Sequence, residues 1–260
     1  MNRQEQLKNN LDYITSEGLD KVVNFSDNLD YKRNVSDAVS GELTIPIPPE
    51  VDDLVRLHKL IRSKKSFTVL EFGTGYSTFI IADALRKNEI EWNALKEKPV
   101  IRNKHMFKIF SVDASLKWVE TAKSKIADSD KERINICHSE VKIGLHQGQL
   151  CHYYVQIPDI IPDFIYLDGP DPKDVQGTVN GMSFKCDERT VMAADLLMME
   201  PTMLPGTYII VDGRTNNARF LHNNFKRNFD VIWDRDADIT TFELSEERLG
   251  KYNILGSDYV

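Results

Sequence analysis

The sequence is short of several features that would assign a chain to a protein class. Its 260 residues include three cysteines, Cys137, Cys151 and Cys186, an odd number without C-x-x-C spacing. We therefore expect reduced thiols in a cytoplasmic protein, and neither a disulfide framework nor a structural zinc site. No apolar run is long enough to span a membrane, and the N-terminus lacks the apolar core of a signal peptide.

Basic residues are fewer than acidic residues. Lysine and arginine number 33 against 40 acidic residues, a formal net charge of -7. Binding to a nucleic-acid backbone needs a concentrated basic surface, so we expect neither nucleic acid nor membrane as a partner. The sequence also lacks G-x-S-x-G, H-E-x-x-H and G-x-x-x-x-G-K-[ST], the signatures of common hydrolases and nucleotide triphosphatases. A small molecule is the expected partner, and a homo-oligomer is compatible with the sequence.

The first 45 residues differ from the rest of the chain. They are polar, with Leu7, Leu11 and Ile14 at helical spacing, and the segment TIPIPPE that follows predicts an extended linker. We interpret residues 1–45 as an N-terminal helical extension that acts as a lid or an oligomer contact. Residues 46–260 are expected to form one Rossmann-like domain.

From Phe67 onward, strand-like and helix-like segments alternate. Five apolar runs, FTVLEF, FKIFSVD, RINIC, DFIYLDG and GTYIIVDG, predict buried strands, and FDVIWDR and ITTFEL predict a closing hairpin. A helix is expected over ERTVMAADLLMME. This alternation predicts an α/β fold: a three-layer α/β/α sandwich with a mostly parallel seven-stranded sheet whose last strand is antiparallel.

The loop FGTGYS follows the first predicted strand. Gly73 and Gly75 can adopt positive φ, and without Cβ atoms they allow a ligand to lie against the backbone, while Ser77 or Thr78 can cap the next helix. A tight strand-to-helix turn explains the loop equally well. Asp113 ends the next strand, where a carboxylate can accept hydrogen bonds from two ribose hydroxyls or can cap a turn. Together, the loop and the aspartate favour a nucleoside ligand.

The residues around the loop discriminate between nucleosides. A dinucleotide fingerprint has a third small residue where this chain has Thr78, and Glu71 would repel a pyrophosphate but attract an amine or a sulfonium. An NAD(P)-dependent oxidoreductase is therefore the less favoured alternative. A non-catalytic nucleoside-binding protein of the same fold is the other alternative.

These motifs carry a resemblance to a known family. E-F-G-T-G-Y-S resembles the first motif of class I S-adenosylmethionine-dependent methyltransferases, SVDAS resembles their second acidic motif, and HSEV is similar to the segment that contacts adenine. FIYLDGP and LPGTYIIVDG are similar to their fourth- and fifth-strand motifs. The resemblance implies S-adenosylmethionine as cofactor, with Glu71 at the methionine amine, the glycines on the methionine part, Asp113 at the ribose, and Ser139 or Glu140 beside the adenine. The full set of implied cofactor contacts is Glu71, Gly73, Thr74, Gly75, Ser77, Thr78, Asp113, Ala114, Ser139, Glu140 and Asp168.

Asp168 and Asp212 end the fourth and fifth predicted strands and are the candidate catalytic residues. They resemble the metal-binding acids of small-molecule O-methyltransferases, which implies Mg²⁺ and methylation at oxygen. Such enzymes usually place asparagine after the second acid, where this chain has Gly213, so Asn216 or Asn217 would have to substitute. Both acids can instead cap turns. Without a metal, Asp168 is the expected general base or acceptor-orienting group.

Overall fold

The computed structural model describes residues 2–25, 48–186, 188–251 and 253–258. The helices are α1 (Arg3–Glu17), α2 (Val51–Lys64), α3 (Tyr76–Ala94), α4 (Leu116–Ser124), α5 (Asp195–Met199) and α6 (Thr215–Asn224). The strands are β1 (Thr68–Phe72), β2 (Lys108–Asp113), β3 (Ile134–His138), β4 (Val141–His146), β5 (Gln149–Tyr154), β6 (Phe164–Leu167), β7 (Val175–Gln176), β8 (Tyr208–Asp212), β9 (Phe229–Asp234) and β10 (Ile239–Leu244). No helix in these ranges has the length and hydrophobicity needed to cross a membrane.

The main sheet confirms the predicted fold class. Its seven strands have the order β3-β2-β1-β6-β8-β10-β9. Neighbours from β3 to β8 pair in parallel, and β10, the last strand of the chain, is antiparallel to both β8 and β9. The burial of all of β1 and β6 fits strands covered by a layer on each face.

Different elements cover the two faces of the main sheet. On one face, apolar residues of α2, α3 and α4 form a core with alternate residues of the strands. On the other face, α5, α6 and a second, three-stranded sheet of order β5-β4-β7 cover the remaining strand residues. The second sheet was not predicted from the sequence.

The prediction of a helix over ERTVMAADLLMME is largely wrong. Only Asp195–Met199 is α-helical. The backbone just before it forms an isolated β-bridge with β5 instead. His152 N–H donates to Met192 O at 2.8 Å, and Ala194 N–H donates to His152 O at 3.1 Å. These lateral bonds satisfy backbone groups that a helix would otherwise have used.

The described part of the N-terminal extension packs on the domain. Apolar residues that follow or end α1 form a cluster with α2 and the start of α3: Ile14, Leu19, Val23, Phe25, Val51, Leu54, Val55 and Ile80. Most of the expected TIPIPPE linker lies outside the described residues. The role of residues 1–45 as a lid or oligomer contact stays a prediction.

A buried polar chain ties α1 to the same cluster. Tyr13 Oη lies 2.7 Å from His58 Nδ1, and His58 Nε2 lies 3.1 Å from Asp83 Oδ2. Burial lowers the pKa of His58, so its ring is neutral and accepts from Tyr13 while donating to Asp83. Lys87 connects Asp83 to Glu17 at the end of α1.

The carboxyl ends of β1 and β6 approach each other so closely that one position requires glycine. Asp168 N–H donates to Phe72 O at 3.0 Å. A Cβ on Gly169 would lie 2.9 Å from Gly73 N and 3.0 Å from the Phe72 carbonyl carbon and oxygen. Backbone atoms cannot move aside as a flexible side chain can, so this contact fixes the spacing of the two strand ends.

We predict that Gly169→Ala lowers the free energy of unfolding by roughly 1–3 kcal/mol, the usual cost of overpacking. Gly250→Ala is the matched control, because a Cβ there meets nothing within 4 Å. Chemical denaturation of both variants measures the difference. Equal stabilities for the two variants would contradict the close approach.

Candidate functional site

The sequence-predicted site residues lie at one edge of the main sheet. β1, β2, β6 and β8 run parallel, so their carboxyl ends open on the same side, and Gly73, Asp113, Asp168 and Asp212 stand at or just after these ends. In open α/β sheets this edge is where ligands bind. We refer to this region as the crevice.

The glycine loop has one constrained residue and one open residue. Gly73 has φ +113° and donates to Val112 O at 2.8 Å, a conformation that favours glycine. Gly75 has φ 176°, which any residue can adopt, so of the two glycines only Gly73 uses the positive φ that glycine permits. A Cβ on Gly75 would meet nothing within 4 Å, which leaves its backbone open to a ligand.

The helix after the loop begins at Tyr76, one residue before the earlier of the two predicted caps. Gly75 is its N-cap residue, and the Thr78 hydroxyl accepts from Gly75 N–H at 3.1 Å. Ser77 and Thr78 both direct their hydroxyls to Glu71 instead of leaving them for a ligand. Their backbone contacts with a cofactor stay a prediction.

Glu71 is more deeply enclosed than the sequence suggested. Its side chain is 1% exposed, and its carboxylate accepts from Ser77 Oγ at 2.5 Å, Thr78 Oγ1 at 2.6 Å and Ser111 Oγ at 2.5 Å. Burial raises its pKa to about 7, against the opposing effect of the three hydroxyls. Glu71 therefore braces the loop and α3 against β2, and its contact with a methionine amine stays a prediction.

Asp113 is joined directly to the glycine loop. Its Oδ1 accepts from Ser115 N–H at 2.7 Å, and the backbone N–H of Thr74 also stabilises its charge. Burial raises the Asp113 pKa to about 6, and the negative charges of Asp174 and Asp168 raise it further. Asp168 likewise raises the pKa of Glu71. Glu71 and Asp113 thus border the same region rather than separate parts of the molecule.

The two candidate catalytic acids differ in their surroundings. Asp168 is about half exposed, and its Oδ1 lies 3.6 Å from the Arg214 guanidinium, which also donates to the carbonyls of Asp168 and Pro170. Asp212 accepts a hydrogen bond from Tyr166 Oη. Burial raises the Asp212 pKa to about 8, with further contributions from the charges of Asp168 and Asp53. The crevice therefore holds one carboxylate tied to a cation and one with a high proton affinity.

These residues do not fit the magnesium site that the resemblance implied. The described ranges contain no group of three side chains of the kinds that hold a metal ion. Asn217, a suggested third ligand, is fully buried and accepts from Ala193 N–H at 2.9 Å, while Asn216 is exposed. Asp168 is already paired to Arg214, and no third side chain joins the two carboxyl groups. The protein therefore supplies few of the oxygen ligands that octahedral Mg²⁺ needs.

The residues expected at the adenine and ribose have mixed exposure. Ser139 is buried, accepts from Gln156 N–H at 2.9 Å and donates its own N–H to Asp113 O at 3.0 Å. Glu140 is exposed and lies 3.6 Å from Lys142, and the Ala114 carbonyl lies 3.1 Å from His138 Nε2. Ser139 therefore fixes the start of the β4–β5 hairpin relative to Asp113. None of these contacts tests an adenine site directly.

Comparison with known proteins gives structural likenesses only. No family model and no curated protein matches the chain. It is similar to the solved O-methyltransferase TomG from Streptomyces achromogenes, involved in tomaymycin synthesis and in complex with SAM (15% identity, 95% of this chain and 100% of that chain, TM-score 0.46). It is also similar to an O-methyltransferase from Bacillus cereus in complex with SAH (15%, 94% and 92%, 0.40) and to an SAH-bound methyltransferase from Podospora anserina (12%, 93% and 88%, 0.45). At these identities and TM-scores the functional argument rests on the site itself.

Proposed function

We propose that the chain is an S-adenosylmethionine-dependent methyltransferase that acts on a small-molecule acceptor, with transfer to oxygen. One observation carries the proposal: carboxyl groups with raised pKa values stand at the sheet edge that holds an open glycine loop. Burial, with repulsion by the negative charge of Asp168 as an additional cause, raises the pKa of Glu71, Asp113 and Asp212 to about 7, 6 and 8. A sulfonium or ammonium group relieves this repulsion, whereas a pyrophosphate would increase it.

Each part of the crevice has a role in this proposal. Asp113 accepts hydrogen bonds from the ribose hydroxyls, because its position beside Thr74 faces a ligand that lies on the loop. The open backbone at Gly75 admits the adenosyl sulfur compound at close range. When bound, S-adenosylmethionine supplies an electrophilic methyl group on a positively charged sulfur.

The two acids after β6 and β8 handle the acceptor. Asp168, held by Arg214, orients the acceptor hydroxyl so that its oxygen is in line with the methyl carbon. With S-adenosylmethionine bound as the methyl donor, Asp212 would take up the proton of the acceptor hydroxyl, because its high proton affinity suits a general base near neutral pH. Of the two roles expected for Asp168, general base or acceptor-orienting group, the proposal keeps the second and gives the first to Asp212. No step requires a metal, since the residues do not fit one.

The proposal predicts that Asp113→Asn weakens the binding of S-adenosylhomocysteine by roughly tenfold or more, because hydrogen bonds to a charged acceptor are lost. Asp128→Asn is the control, since the Asp128 side chain is 93% exposed after α4. Isothermal titration calorimetry measures both variants.

The same titrations discriminate between the alternatives. Wild-type protein that binds NADPH and not S-adenosylhomocysteine would support an oxidoreductase. Binding of neither ligand would support the alternative of a non-catalytic protein of this fold. Either result would overturn the proposed function.

A second prediction concerns pH. A general base must be ionised to take up a proton, so kcat/KM should fall as the pH decreases through the Asp212 pKa of about 8. Asp212→Asn should remove this limb and lower kcat by about 10²–10⁴-fold. The measurement is a pH profile of S-adenosylhomocysteine release with any acceptor that the wild type methylates. An unchanged limb in the variant would show that another group titrates.

A further inference from the structure

Unpaired polar atoms are concentrated behind the crevice. In the parts of the chain that the structure describes, eight buried side-chain nitrogen or oxygen atoms have no hydrogen-bond partner. Six of them belong to five residues, which we call the buried polar cluster: His152, Tyr154, Asp195, Arg214 and Asn217. A buried polar atom without a partner keeps the full cost of its desolvation, so this concentration calls for a physical explanation.

Hydrogen bonds and ring contacts hold the cluster together. His152 and Tyr154 point to the same side of β5, with ring centroids 6.2 Å apart. Tyr154 N–H donates to Asp195 Oδ1 at 3.0 Å, which leaves Asp195 Oδ2 unpaired. Ala193 pairs with His152 and donates its N–H to Asn217 Oδ1 at 2.9 Å, which leaves Asn217 Nδ2 unpaired. Burial lowers the pKa of His152 to about 3, and the charge of Arg214 contributes to this shift.

The cluster borders the crevice. The terminal nitrogens of Arg214 contact Asp168 and Pro170, while its Nε is buried without a hydrogen-bond partner. The Tyr154 ring packs against Phe72, the last residue of β1, at 5.3 Å between centroids. His152, Asp195 and Asn217 are 0% exposed and Tyr154 is 5% exposed. A molecule in the crevice could therefore reach these atoms only with a small terminal group.

Donors predominate among the unpaired atoms. Arg214 Nε, Tyr154 Oη and Asn217 Nδ2 can each donate, and a neutral His152 donates from one ring nitrogen. The acceptors are the second His152 nitrogen and Asp195 Oδ2, and burial raises the pKa of Asp195 to about 7, so that its protonated, donating form is accessible near neutral pH. A compact group with several lone pairs and negative charge satisfies this arrangement best, and a carboxylate is such a group.

We propose that the buried polar cluster binds a carboxylate of the methyl acceptor, so that the substrate class is small hydroxy acids. The inference rests on the proposed function. Arg214 joins the cluster to Asp168, so a carboxylate in the cluster places the rest of the same molecule beside the acids at the ends of β6 and β8. The methionine carboxylate of the cofactor has the same chemistry, and the experiment below separates the two sources.

The test is a titration of the full chain with acetate, the smallest carboxylate probe that resembles the group, and with acetamide as its neutral isostere. The readout is the NMR shift of the Ala193 and Tyr154 amides, which donate to cluster residues. We expect acetate to shift both signals until they saturate. Acetamide should bind more weakly than acetate, by roughly tenfold or more. The absence of an acetate-dependent shift in the wild type, with and without S-adenosylhomocysteine, would overturn the proposal.

Two variants remove single donors. Tyr154→Phe deletes only the unpaired hydroxyl, and Asn217→Asp replaces Nδ2 with oxygen while retaining the acceptor for Ala193 N–H. Each should weaken acetate binding roughly tenfold, and Tyr154→Phe should not lower the melting temperature. Thr207→Val is the matched control, because Thr207 Oγ1 is also buried and unpaired but lies outside the cluster. Acetate binding that is equal in Tyr154→Phe and Thr207→Val would contradict the proposal.

The source of the carboxylate is tested with two nucleosides. The compound 5′-methylthioadenosine lacks the amino-acid part of S-adenosylhomocysteine. If Tyr154→Phe weakens the binding of S-adenosylhomocysteine but not that of 5′-methylthioadenosine, the carboxylate belongs to the cofactor and the acceptor assignment is wrong. Unchanged binding of both supports the acceptor. Wild-type protein that binds S-adenosylhomocysteine without responding to acetate would overturn this inference alone and leave the proposed function standing.

Discussion

The burial of carboxyl groups at one edge of the main sheet, close to the negative charge of Asp168, is the constraint on which the site depends. Glu71, Asp113 and Asp212 all have raised pKa values, and the charge of Asp168 contributes to each. A raised carboxyl pKa means that the folded chain is favoured by protonation. Its contribution to stability is present below the unfolded pKa near 4 and is lost as the pH rises through about 6 to 8. A cation bound among these groups would offset that loss.

The fold maintains this unfavourable arrangement by neutral and backbone contacts. Three hydroxyls enclose Glu71, two backbone N–H groups hold Asp113, and Arg214 is the nearby cation that faces Asp168. The approach of Gly169 to Gly73 keeps the strand ends at fixed spacing. The crevice therefore has a defined shape in a chain without ligand, which lowers the cost of binding since little has to be reorganised.

Much of this could be predicted from the sequence, because apolar strand runs and their terminal acids are local signals. Asp113, Asp168 and Asp212 follow recognisable strands, and parallel pairing brings such ends together. The second sheet was missed although β4 and β5 form a local hairpin around Gln147 and Gly148; only β7 and the bridge from His152 to Ala193 come from far along the chain. The bracing of Glu71 by Ser111 depends on strand register, which the sequence does not state, although the hydroxyl residues Ser77 and Thr78 shortly after Glu71 were a usable signal. Of the two glycines that can adopt positive φ, only Gly73 does, because glycine permits that conformation without requiring it.

The central claim is that the crevice acids accept a positively charged adenosyl sulfur compound. The most direct measurement is the number of protons exchanged when S-adenosylmethionine binds. Calorimetry in buffers of different ionisation enthalpy gives this number. The titrations are run at pH 6.5 to 7.5, within about one unit of the shifted pKa values. A cation lowers the pKa of each neighbouring carboxyl, so the account predicts net proton release on binding and tighter binding as the pH rises. Proton uptake, or binding without any proton exchange, would contradict it.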